Sequence, residues 1–103
     1  GDLGAVIGRF VKLHKFSVIK GLAGHGIGKN LHETPMVFNE GRPNTGLKLM
    51  PGMVLAIEPM ISAGSPHIVQ LPDESYATSD GSLSAQFEHT VAITEGGPQI
   101  LTL

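Results

Sequence analysis

Three side chains have the chemistry for acid–base or metal work: His25 in AGHGIGKNLHE, Glu58 in LAIEPM and Glu88 in QFEHT. An imidazole and two carboxylates are borderline-to-hard ligands suited to Zn, Mn, Fe or Co, and a chain with no cysteine offers no thiolate competitor. Glu58 follows an apolar stretch of Val54, Leu55, Ala56 and Ile57, and Pro59 after it drives its backbone towards the extended region. A carboxylate there is costly to bury unless it is paired or bound to a cation. Glu88 alternates with Phe87 and shares the opposite face with Gln86 and Thr90. The glycines at 24, 26 and 28 are expected to bend the backbone around His25 and leave its imidazole unshielded. His32 follows seven residues later and suggests a paired-imidazole site. Three ligands could hold one metal with an open position, whereas a two-metal clamp needs more bridging carboxylates than the chain offers. Singly, each residue also has an ordinary structural reading: a solvated or paired glutamate, or a histidine bonded to a backbone carbonyl.

The elements that must position these residues are readable in outline. Leu3, Val6, Ile7, Phe10 and Val11 lie on one helix face, with Leu13 beyond and Asp2 where an N-cap belongs. Gly4 and Gly8 each weaken that helix by roughly 1 kcal/mol relative to alanine, so it needs a sheet to pack on. SVIKGLAGHGIG reads as a short β run entering a glycine-rich bend, and residues 33–50 as an irregular excursion. Pro51-Gly52 fits the centre of a type II turn, with a strand from Met53 to Pro59. AGSPHIVQLPDES reads as a loop and SDGS as a turn. In AQFEHTVAIT, Phe87, His89, Val91 and Ile93 form an apolar stripe on one strand, and after the EGGP turn QILTL returns as the last. The expected architecture is α+β: one helix followed by a mostly antiparallel sheet.

The remaining histidines carry less. His14 ends the helix, where a cation suits the dipole, and His67 sits in an exposed loop. His89 in the apolar stripe is expected to be a satisfied core histidine or one supporting a ligand. GHGIGK lacks the glycine spacing and following Ser/Thr of a phosphate loop, and no GxSxG elbow supports a serine hydrolase.

Composition bounds the rest. The 103 residues make one small domain's length, with 41% hydrophobic and 16% charged residues. Seven Lys+Arg against nine Asp+Glu give a net charge of −2, which disfavours nucleic-acid binding. No apolar run reaches the roughly 20 residues of a membrane span, and no leader pattern opens the chain. The absence of cysteine fits a cytoplasmic location. A first residue of Gly1 rather than Met points to processing, engineering or excision from something longer.

GHGIGKNLHETP, LKLMPGMVLAIEPM and DGSLSAQFEHTVAITEGGPQILT together resemble the C-terminal half of type I methionine aminopeptidases, across nearly the whole chain. SLSAQFEHTVAIT is much closer to these enzymes than to the proline dipeptidases that share their fold. The resemblance implies a pita-bread fold of two pseudo-symmetric halves, residues 1–103 being the C-terminal half, with two divalent metal ions (Co, Mn, Fe or Zn) between the halves. It assigns His25, Glu58 and Glu88 as metal ligands, with Glu58 also the general base and Glu88 bridging the metals. It assigns His32 to the substrate near the scissile carbonyl and Leu31 to the methionine pocket. The implied reaction is removal of the N-terminal methionine from peptides or nascent chains by a metal-activated water.

Two features depart from the family pattern. Its two aspartate ligands and another substrate-contacting histidine precede this segment, and Asp2, Asp73 and Asp80 match neither aspartate motif. PDESYATSDG is one residue shorter than usual and has Tyr76 but no tryptophan. The chain is therefore expected to supply only part of a site and to be nearly inactive without the N-terminal half of the same enzyme. The competing readings are an Xaa-Pro aminopeptidase or dipeptidase and a non-catalytic pita-bread module that binds proteins.

Overall fold

A computed structural model describes all residues from Gly1 to Leu103. Helix α1 spans Asp2–Leu13, as the apolar spacing predicts. Its N-cap is Gly1, not Asp2, and no side chain caps it. Asp2 instead begins the helix, where its charge suits the dipole, and its Oδ1 accepts the Asn44 N–H at 2.6 Å. A loop amide reaches this carboxylate, which is why the local cap pattern fails.

The two helix glycines allow close packing. A Cβ at Gly4 would strike the Glu40 carbonyl oxygen, and one at Gly8 would lie 3.3 Å from the Asn39 oxygen. Helix α1 can thus rest directly on the backbone of residues 38–40, which offsets its weak propensity. Gly4→Ala is expected to destabilise the protein by about 1–3 kcal/mol through overpacking, read as a lower urea midpoint. Gly96→Ala, where the nearest atom to a new Cβ is 3.8 Å away, should stay within about 0.5 kcal/mol of wild type.

Ten short strands follow: β1 (Ser17–Val18), β2 (Gly24–Gly26), β3 (Glu33–Val37), β4 (Val54–Ile57), β5 (Met60–Ser62), β6 (Ile68–Gln70), β7 (Tyr76–Thr78), β8 (Ser84–Gln86), β9 (His89–Thr94) and β10 (Gly97–Ile100). Their pairings are antiparallel throughout. They form a sheet ordered β10-β9-β4-β2-β3, a second ordered β1-β5-β8, and the hairpin β6-β7. The α+β expectation holds. The Pro51-Gly52 turn does too: the Met53 N–H donates to the Met50 carbonyl, and Gly52 has φ +98°.

Two strands lie where the sequence reads as loop. β3 occupies the start of the expected 33–50 excursion, and Pro35 is tolerated there because β3 is an edge strand. β6 and β7 make a hairpin within and after the expected loop at 63–75.

The expected strand 85–94 and the strand through Glu58 are both broken, and their breaks face each other. Ile57 pairs with His89 on one side of the gap and Met60 with Gln86 on the other, so a single register runs through both. Within it the Phe87 N–H donates to the Pro59 carbonyl at 3.1 Å. Pro59 has no N–H to return, which removes one rung and splits the ladder. The neighbouring chain breaks on the same line, between β1 and β2. The two sheets therefore meet at a corner at 19–23, 58–59 and 87–88.

The core is small: Val11, Val18, Ile19, Val37, Leu55, Ala56 and Val91. The expected apolar stripe is covered only in part, with Val91 buried but Phe87 62% exposed and His89 also exposed. His89 is thus no core residue; its Nδ1 lies 2.9 Å from the Thr102 hydroxyl. Helix α1 packs beside β1. No helix is long and apolar enough to cross a membrane.

Candidate metal centre

The corner of the sheet brings the chemically capable residues together. His25 lies at the middle of β2 opposite Ala56, and Glu58 follows two residues after that rung. The imidazole Nε2 and Glu58 Oε1 meet at 2.8 Å, with both side chains about 15% exposed or less. His25 Nδ1 lies 2.8 Å from the Gly26 carbonyl oxygen, which can only accept. That bond orients the ring and aims Nε2 at the carboxylate. His25 and Glu58 are the residues here that would hold a cation.

The glycines beside His25 act differently from expectation. Gly24 and Gly26 are buried within a strand, and neither has a left-handed backbone. A Cβ at Gly24 would strike the Ala56 carbonyl oxygen, and one at Gly26 the Thr34 carbonyl oxygen. They let β2 fit between β4 and β3, with a bulge between His25 and Gly26. The glycines position the imidazole by close packing, and the bulge supplies the local bend.

Glu58 is held from three sides. Its Oε1 faces His25, its Oε2 accepts the Gln86 side-chain amide at 3.1 Å, and its carbonyl accepts the Asn39 amide at 3.0 Å. Gln86 stood out in sequence only as a member of the polar face of its strand; Asn39 lay inside an expected excursion and gave no signal.

The register through the corner sets Glu88 opposite Glu58. Glu88 is exposed and lines a cleft of about 210 Å³ with Ile57, Pro59, Phe87 and His89. The His32 and His25 rings lie 4.3 Å apart and tilted by 58°, so the second histidine does join the first. His32 is exposed, and Leu31 beside it is 67% exposed. No point in the chain assembles three His, Asp or Glu side chains around one cation position. The donor chemistry fits a divalent ion, and the chain brings two such donors into contact.

The three aspartates serve turns. Asp2 holds Asn44. The Ser75 hydroxyl and N–H keep the Asp73 carboxyl below its usual range. The Ser65 N–H, then Ser82, do the same for Asp80.

The pattern of metallopeptidase family M24 matches residues 1–95. The chain belongs to that family. This M24 chain is 52% identical, over 99% of its length, to a methionine aminopeptidase of Clostridium perfringens, covering 41% of that protein. It superposes on the crystal structure of methionine aminopeptidase from Rickettsia prowazekii with a TM-score of 0.96 at 44% identity, covering 100% of this chain and 42% of that one. The methionine aminopeptidase of Thermotoga maritima gives the same TM-score at 48% identity, covering 99% and 41%. The M24 chain thus spans about two-fifths of the relatives it matches. Its α+β, antiparallel architecture is that of solved methionine aminopeptidases over this stretch.

Proposed function

We propose that residues 1–103 form the C-terminal half of the catalytic domain of a methionine aminopeptidase, which removes N-terminal methionine from peptides and nascent chains. The observation that carries this reading is the His25–Glu58 contact of 2.8 Å at the sheet corner, in a chain matched along its length by methionine aminopeptidases. His25, Glu58 and Glu88 would hold two divalent ions together with ligands from the N-terminal half. Bound divalent ions supply Lewis acidity and make a nearby water a nucleophile at neutral pH.

The chain's own residues do the rest. Glu58, screened from solvent and steadied by Gln86, takes a proton from the attacking water as general base. His32, exposed beside His25, donates a hydrogen bond to the scissile carbonyl as negative charge develops there. Leu31, next to His32 and open to solvent, gives the methionine side chain an apolar contact. The reading implies a cytoplasmic location, where nascent chains are made.

A substrate comparison on the complete enzyme tests the reading. Met-Ala-Ser should be cleaved with Mn²⁺ or Co²⁺ and not after chelation, while Ala-Pro peptides remain intact. Preference for Ala-Pro would make it an Xaa-Pro aminopeptidase. Indifference to every divalent ion would favour a protein-binding module.

A further inference from the structure

We propose that Asn39 is a positioning residue for Glu58, setting the metal-facing carboxylate through the backbone rather than through its side chain. The inference rests on Glu58 being a metal ligand. Glu58 sits in the gap between β4 and β5. On the β2 side, Ala56 still pairs with His25, and the Met60 carbonyl already accepts the Ile19 N–H at 2.9 Å. Between those rungs residues 20–23 belong to no strand, and no backbone N–H donates to the Glu58 carbonyl. On the other side Pro59 cannot donate. With no backbone N–H donating to it, the Glu58 carbonyl needs another partner.

Asn39 supplies it. Its Nδ2 donates to the Glu58 carbonyl at 3.0 Å, and the residue is only 3% exposed. Helix α1 fixes Asn39 in turn, because Gly8 lets the helix come within van der Waals reach of the Asn39 backbone. The choice of an amide is informative. Asn39 Oδ1 is buried without a hydrogen-bond partner, an arrangement that costs stability. A leucine would fill similar space without that orphaned oxygen, so packing alone does not account for the amide. Its donor does.

The test uses the complete metal-free enzyme, with Mn²⁺ titrated calorimetrically and Met-Ala-Ser turnover followed at saturating Mn²⁺. Asn39→Leu is expected to weaken Mn²⁺ binding about 10-fold and lower kcat about 10- to 100-fold, the usual range for lost support of a metal ligand. KM should stay within about twofold, since Asn39 touches no substrate. Asn39→His, whose Nδ1–H stands where the amide nitrogen does, should restore most of both. If Asn39→Leu does not fold, Asn39→Ala is compared with Asn39→His in the same way. Wild-type Mn²⁺ affinity and kcat in the donor-less variant, or equal impairment of it and Asn39→His, would overturn the inference. Glu58→Gln separates the two levels: if it leaves Mn²⁺ affinity intact, the ligand reading itself fails, whatever Asn39 does.

Discussion

Glu58→Gln in the complete enzyme is expected to lower kcat for Met-Ala-Ser by about 10²–10⁴-fold, the range for loss of a general base. Glutamine keeps the shape of the side chain but cannot take a proton from water or carry the charge that a divalent ion needs. The melting temperature should change little. The backbone tether from Asn39 is untouched, and the contacts to His25 and Gln86 join partners that an amide can also meet. A loss of activity with an unchanged melting curve separates chemistry from folding. Activity within about threefold of wild type would show that Glu58 is a structural acid paired with a histidine.

Gly24→Ala is expected to have the largest effect on the fold. The new Cβ would run into the Ala56 carbonyl oxygen, a backbone atom that cannot swing aside. Overpacking of this kind costs typically about 1–3 kcal/mol and sometimes more, and β2, between β4 and β3, cannot shift without disturbing both. Activity should fall further than stability does, because His25 is the next residue and a displacement of about 1 Å at a site can cost roughly 10²-fold. Gly21→Ala is the informative contrast. Gly21 has φ +88° with open space around it, so alanine there costs about 1–2 kcal/mol of backbone strain but leaves the imidazole in place. Comparing melting temperature with kcat in the two variants checks the claim: only Gly24→Ala should lose activity out of proportion to stability.

The kinds of residue at the site were legible in the sequence, and their assembly was not. His25 and Glu58 stand out by type, and the alternation of AQFEHTVAIT assigns Glu88 to the polar face. The corner that gathers them depends on Pro59 withholding a hydrogen bond from Phe87, a partner remote in sequence. No local pattern reports that. The same holds for Gln86 and Asn39, whose value lies in reaching Glu58 across the fold. Strand β3 was hidden by Pro35, which is at home only because the strand lies at an edge. The apolar stripe of β9 misled for a different reason. Its period is right, but hydrophobic alternation reports which face seeks cover, and nothing in this chain covers Phe87. Phe10 and Leu13 on α1 are similarly open, at 63% and 75% exposure. Exposed apolar surface of this extent fits the proposal that the chain packs against an N-terminal half.

The central claim is that this chain carries one side of a metal site which its N-terminal half completes. Mn²⁺ titration and Met-Ala-Ser hydrolysis, measured on the 103-residue chain alone and after addition of the separately produced N-terminal half, test it most directly. The account predicts weak Mn²⁺ binding and no turnover for the chain alone, with tight binding and turnover appearing together on mixing. Robust turnover by the chain alone, or tight Mn²⁺ binding that survives His25→Ala and Glu58→Gln together, would contradict it.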